Sequence, residues 1–155
     1  MTEARDATRP PRVALPSPVE AEAPEGFAAI ELYDPFEAHV GPLFERVEAD
    51  GGRVSAFRVD GRHVREDGTA HEGMMMTFAD AFMGGAAWRG TDGQPCVTLS
   101  LQTSHLGDAK LGEVVECRAR VEHRTRAIVF VSATFTVAGE PVMTATSLWK
   151  ILGAR

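Results

Sequence analysis

Apolar and polar positions alternate most regularly between Glu113 and His123. There Val115, Cys117, Ala119 and Val121 fall on one side, and Glu116, Arg118, Arg120 and Glu122 on the other. A period of two marks a strand with one face against a core. Gln94–Ser104 repeats the pattern, with Val97, Leu99 and Leu101 predicted to face inward and Thr98, Ser100 and Gln102 outward. Gly52–Asp60 sets Val54, Ala56 and Arg58 against Ser55, Phe57 and Val59. Two further strands are predicted over Ala127–Val137 and Pro141–Leu152. The polar joint His123-Arg124-Thr125-Arg126 and the turn Ala138-Gly139-Glu140 link the last three strands into an antiparallel meander.

One segment departs from this period. From Glu72 to Trp88 the apolar residues Met74, Met75, Met76, Phe78, Ala79, Ala81, Phe82 and Met83 run nearly all round a helix, which is therefore predicted to be buried on most sides. A short helix is predicted after Asp34-Pro35, with aspartate at its cap and proline in its first turn. One long helix set among antiparallel strands predicts an α+β architecture, an antiparallel sheet wrapped around a central helix. That is the hotdog fold. Ahead of it Pro10, Pro11, Pro16, Pro18 and Pro24 punctuate residues 1–26, so an extended or disordered arm is expected there and the ordered domain over 27–155.

The non-apolar positions of the long helix are ordered too. At about 100° per residue, Gly73, Thr77, Asp80 and Gly84 fall within roughly 60° of arc. Either the small residues admit a close neighbour and Asp80 pairs with something, or the stripe lines a slot for a ligand with Asp80 in its wall. An ionised carboxylate in an oily setting is costly unless it is satisfied, which favours the second reading. The free N–H groups near His71, Glu72 and Gly73 offer a site for an oxyanion. A carboxylate and oxyanion donors are the minimum equipment for hydrolysing an ester or thioester.

Composition narrows the field. At 155 residues, 44% hydrophobic and 25% charged, the chain makes one ordinary domain. A net charge of -6 argues against a broad nucleic-acid surface. Nothing approaches the run of about 18 apolar residues of a membrane span, and the two cysteines, Cys96 and Cys117, do not make a disulfide framework. A cytoplasmic location is expected. The histidines match no zinc spacing, so no metal is expected, and hydrolysis of an ester or thioester by a carboxylate calls for no cofactor.

The run His63-Val-Arg-Glu-Asp-Gly68-Thr-Ala-His71-Glu72-Gly73, continuing to Asp80, resembles the signature of PaaI-like hotdog thioesterases of the 4-hydroxybenzoyl-CoA thioesterase superfamily, and Ala109-Lys-Leu-Gly-Glu113 resembles the lead-in to their next strand. The resemblance implies hydrolysis of an acyl-CoA by a homodimer, often doubled to a tetramer, with its sites at the subunit interface. It implies Asp80 as the nucleophile or the base for water, and the N–H of Glu72, beside Gly73, at the helix N-terminus of the opposite subunit, as the donor that polarises the carbonyl. Thr98 would position the water. Arg65, His71, Thr77 and Met75 are assigned to substrate contact. Two positions depart from the signature: Arg65 stands for an asparagine and Glu72 for a glycine. Glu72 is placed to crowd the carbonyl or to raise the pKa of Asp80, and the departures motivate an alternative, a non-catalytic acyl-CoA-binding protein. The arginines Arg118, Arg120, Arg124 and Arg126 read either as a contact for CoA phosphates or as a strand face balanced by Glu116 and Glu122, with the balance favoured. Trp88 and Trp149 read as packing residues.

Overall fold

The computed structural model of the chain describes residues 21–32 and 34–153. The elements run β1 (Ala28–Ala29), α1 (Pro35–Val40), β2 (Phe44–Val47), β3 (Arg53–Arg58), α2 (Glu72–Gly90), β4 (Cys96–His105), β5 (Val114–Arg124), β6 (Ile128–Val137) and β7 (Glu140–Ile151). Every strand pairing is antiparallel, and the spatial order is β1-β2-β3-β5-β6-β7-β4. The hotdog arrangement and the β5–β6–β7 meander are as the sequence predicts. Most of the arm expected over residues 1–26 lies outside the described residues. Within it, Pro24 accepts a turn hydrogen bond from the Phe27 N–H at 3.0 Å. No helix among the described residues is long and apolar enough to cross a membrane.

The register places the core. Cys117 lies opposite Phe135, and Phe135 opposite Met143, so one row of buried side chains crosses three strands. Onto this face α2 lays Met75, Phe78, Ala79, Phe82 and Met83, all buried. Each large side chain so enclosed contributes about 1.5–3 kcal/mol. Among the aromatic pairs the closest is Phe78, stacked on Phe57 of β3 with ring centroids 3.4 Å apart. At the helix start, His71 Nδ1 accepts from the Gly73 N–H at 3.0 Å. At its end, the Thr91 hydroxyl bonds the Trp88 carbonyl at 2.9 Å, answering a carbonyl left over by the last turn.

Two expectations are corrected. The helix is not enclosed on most sides within one chain: Glu72, Gly73, Met76, Asp80, Trp88 and Arg89 are exposed. The sheet covers one side of α2, while α1 and the segment before it only partly screen the other. Trp88, 54% exposed, is thus no packing residue, whereas Trp149 at 5% is one. The second correction concerns β4, where Val97 and Leu99 point outward although the alternation assigns them to the core. β4 is the last strand of the sheet, and its pairing with β7 shifts between Thr98 and Ser100, a bulge that leaves Leu99 over.

The loop before α2 is pinned by a buried histidine. His63 Nδ1 accepts from the Asp60 N–H at 3.1 Å, which leaves Nε2 to carry the proton and donate to the Val40 carbonyl at 2.8 Å. Burial holds its pKa below the ordinary imidazole value, against the opposing pull of Asp60 and the Val40 carbonyl. The unfolded chain therefore takes up a proton below about pH 6.5 that the folded chain refuses. Stability is fully present above that value and is lost as pH falls below it toward the lower, folded pKa. The thermal midpoint is expected to drop on going from neutral to mildly acidic buffer, and to drop less in His63→Gln. An equal fall in both proteins would assign the acid sensitivity elsewhere.

Candidate active site

Three segments distant in sequence converge on the exposed face of α2. The helix supplies Asp80, on the same side as Gly73 and Thr77 by its spacing. β4 supplies Thr98, the residue just before the bulge, which is a common device for re-aiming a side chain. The Thr98 hydroxyl donates to Asp80 Oδ1 at 2.7 Å, and Oδ2 has no partner among the described residues. The carboxylate is thus held by one oxygen and open at the other.

Two grooves meet at this carboxylate. One, of about 470 Å³, is bordered by Gly73, Met76, Thr77 and Leu101 and roofed by Phe36 and Glu37. The other, of about 660 Å³, runs along the C-terminal half of α2, with Phe82, Trp149 and Leu43 in its walls. Asp34 and Glu37 border both grooves together with Asp80. Asp34 is the cap of α1, accepting from the Phe36 N–H at 2.8 Å and the Glu37 N–H at 3.3 Å. Burial first, then the charges of Asp34 and Asp80, push the Glu37 carboxyl above its ordinary range.

Glu37 is the site residue that sequence reasoning missed. The helix carrying it was legible from Asp34-Pro35, but no local signal shows that this helix borders the same grooves as α2. The sequence offered Glu72 as the second acid beside Asp80, and the structure places Glu37 in that position. Glu72 sits at the start of α2, eight residues or about 12 Å of helix from Asp80. Its own backbone N–H, foremost, and then the charges of Arg65, His71 and His105 hold its carboxyl below the usual range. Arg65 Nη1 reaches Glu72 Oε1 at 2.5 Å. The same guanidinium donates to Thr69 Oγ1 at 2.6 and 3.1 Å, so Arg65 braces the loop entering α2 and does not pair with Asp80.

The remaining predicted residues divide. Thr77 borders the smaller groove and donates to the Gly73 carbonyl at 2.9 Å. His71 is the exposed cap of α2. Met75 is buried in the core at 4% exposure, and its neighbour Met76 takes the place at the groove. Gly84 belongs to packing as well as to the stripe: a Cβ there would come within 2.8 Å of the Trp149 ring. Three of the four hairpin arginines are matched by acids, Arg118 with Glu48 at 2.9 Å, Arg120 with Glu122 at 2.8 Å and Arg124 with Asp92 at 3.7 Å, while Arg126 has no ion pair among the described residues.

A family model described as the thioesterase superfamily matches residues 67–144. A Pseudomonas aeruginosa protein named as an esterase is 34% identical over 129 residues, covering 83% of this chain and 96% of its own length. The chain belongs to the thioesterase superfamily. Among solved structures, this thioesterase-superfamily member is similar to a phenylacetic acid degradation-related protein of Ralstonia eutropha. That match has a TM-score of 0.61 and 28% identity, covering 69% of this chain and 83% of the other. A Bacillus halodurans protein solved with CoA matches with a TM-score of 0.65 at 21% identity, over 72% of this chain and 74% of its own; this second likeness shows the fold. Asp80 and Thr98 both lie within the segment that the thioesterase-superfamily model covers.

Proposed function

We propose that this superfamily member hydrolyses an acyl-CoA thioester to the free acid and CoA, with Asp80 promoting the attack of water. The observation that carries the reading is the 2.7 Å bond from Thr98 to Asp80 at the junction of two grooves. One carboxylate oxygen is fixed, and the other faces the space where a water and a thioester carbonyl would meet. Asp80 takes a proton from the water as its oxygen bonds to the carbonyl carbon. The carbon–sulfur bond then breaks, and the proton passes to the departing thiolate. The Bacillus halodurans structure solved with CoA supports CoA as the carrier.

The reading requires a second copy of the chain. The N–H at Glu72 and the carboxylate of Asp80 stand about 12 Å apart along one helix, too far to act on one carbonyl. The donor therefore comes from the α2 start of a partner. β4 offers the surface for pairing: it ends the sheet, and Val97 and Leu99 are 43% and 53% exposed on it. A side-by-side homodimer with two sites follows. For the N–H to reach the carbonyl, the Glu72 carboxylate keeps its bond to Arg65 and turns off its own backbone N–H.

That position of Glu72 also supports a second reading, an acyl-CoA-binding protein without turnover. Release of free thiol from a panel of acyl-CoAs separates the two. Enzyme-dependent release within minutes is expected. Calorimetric binding with no thiol released over hours would replace hydrolysis by the binding function.

A further inference from the structure

The larger groove has a built end that hydrolysis itself does not use. From Asp80 it follows α2 past Ala81, Gly84 and Gly85 to Arg89, nine residues or about 13 Å along the axis. The Arg89 guanidinium, though partly exposed, is not fully extended from there. It lies back over Gly85, where a Cβ would stand 3.3 Å from Arg89 Nη1. Arg53 of β3 borders the same end of the groove. Between the two arginines stands one carboxylate: Glu45 receives Arg53 on Oε1, and Arg89 Nη1 is 3.6 Å from Oε2. Two cations share one anion, which leaves one positive charge over in a partly enclosed space.

Apart from Glu45, two acids of the groove gather with Asp80 at the opposite end. Asp34 and Glu37 also border the smaller groove beyond Asp80, which fixes them near that carboxylate, while Glu31, a further lining acid, is exposed. Charge is thus segregated along the groove, acidic where the thioester would react and basic where the acyl group would end. The walls between are apolar, with Leu32, Leu43, Phe82 and Trp149. Burial, and the like charge of Arg53, lower the Arg89 pKa against the pull of Glu45, as fits a cation with too little counter-charge.

We propose that the acyl group taken by this site carries a carboxylate at its far end, received by Arg89 and Arg53. The inference rests on the acyl-CoA reading above and gives its substrate class: the CoA monothioester of a medium-length dicarboxylic acid. Guanidinium pairs are suited to this task, because their planar forks match a carboxylate with two parallel hydrogen bonds.

The test compares kcat/KM for adipyl- and suberyl-CoA with that for hexanoyl- and octanoyl-CoA. The carboxylated member of each pair is expected to be favoured by about fivefold, the scale of a partly solvated ion pair. Arg89→Gln is expected to bring the ratio to about one. Glu45→Gln, which removes the competing carboxylate, is expected to raise it above that of the unaltered protein, and it carries the test if the Arg89 variant does not fold. Equal rates or a preference for the neutral chains in the unaltered protein would overturn the proposal, as would a ratio that Arg89→Gln leaves unchanged. If no acyl-CoA is hydrolysed, the catalytic reading fails. The same ratio is then measured as calorimetric Kd values, where a carboxylate preference abolished by Arg89→Gln sustains the proposal and its absence ends it.

Discussion

Asp80→Asn is expected to lower kcat for acyl-CoA hydrolysis by about 10³-fold, the usual scale for removing a positioned base, while the fold is retained. The amide has nearly the shape of the carboxylate, and its oxygen still accepts the Thr98 hydroxyl, so the 2.7 Å contact between α2 and β4 has a substitute. What the amide cannot do is take the proton from water. Because Asp80 is exposed on the helix, losing its charge leaves no buried group unpaired, and the thermal midpoint should stay close to that of the parent protein. Thiol release and a melting curve on the same preparation check both halves. Thr98→Val should fall less far, since the base remains and only its orientation is loosened. Undiminished hydrolysis in the asparagine variant would remove Asp80 from the mechanism.

The largest expected effect on stability comes from Phe78→Ala, at about 3–5 kcal/mol. Domains of this kind are stable by only about 5–15 kcal/mol in total. Phe78 is fully buried, stacks on Phe57 at 3.4 Å, and meets the edge of His63 at 5.5 Å and the ring of Phe82 at 6.0 Å. Its ring therefore joins the helix, strand β3 and the loop that enters the helix. Removing it leaves a cavity with stiff walls, because the partners are themselves held by the sheet. Denaturant unfolding should show the midpoint falling with an unchanged slope. A loss below about 1 kcal/mol would mean that the surrounding rings close the gap. Phe78 and Asp80 stand about 200° apart around the helix, so the ring that seats α2 faces away from the carboxylate that β4 reaches.

The residues legible in advance share one property: their placement depends on neighbours in the chain. Alternation over Glu113–His123 settles which side of that strand is wet, and the meander follows from short joints. The clustering of Gly73, Thr77 and Asp80 on one side of a helix is a consequence of helical pitch alone. The strands β1 and β2 were not read, because two and four residues are too few to show a period. Met75 and Met76 exchange roles by one residue, a 100° turn. Composition cannot separate them, since both are methionine and only contact with the sheet distinguishes the buried one.

Sequence alone determined the wrapped-helix architecture, the face on which Asp80 stands and the Asp34 cap of the short helix, since periodicity and local hydrogen bonding act within a few residues. Tertiary structure alone decided that Asp80 is open to solvent, that Thr98 and Glu37 meet it, that Trp149 fills the space at Gly84, and that Arg89 and Arg53 share Glu45. Those neighbours lie between 8 and 65 residues apart in the chain, roughly speaking a few turns of helix or several strands. Burial and pairing are properties of what packs against a side chain, and that is set by how the sheet closes on the helix.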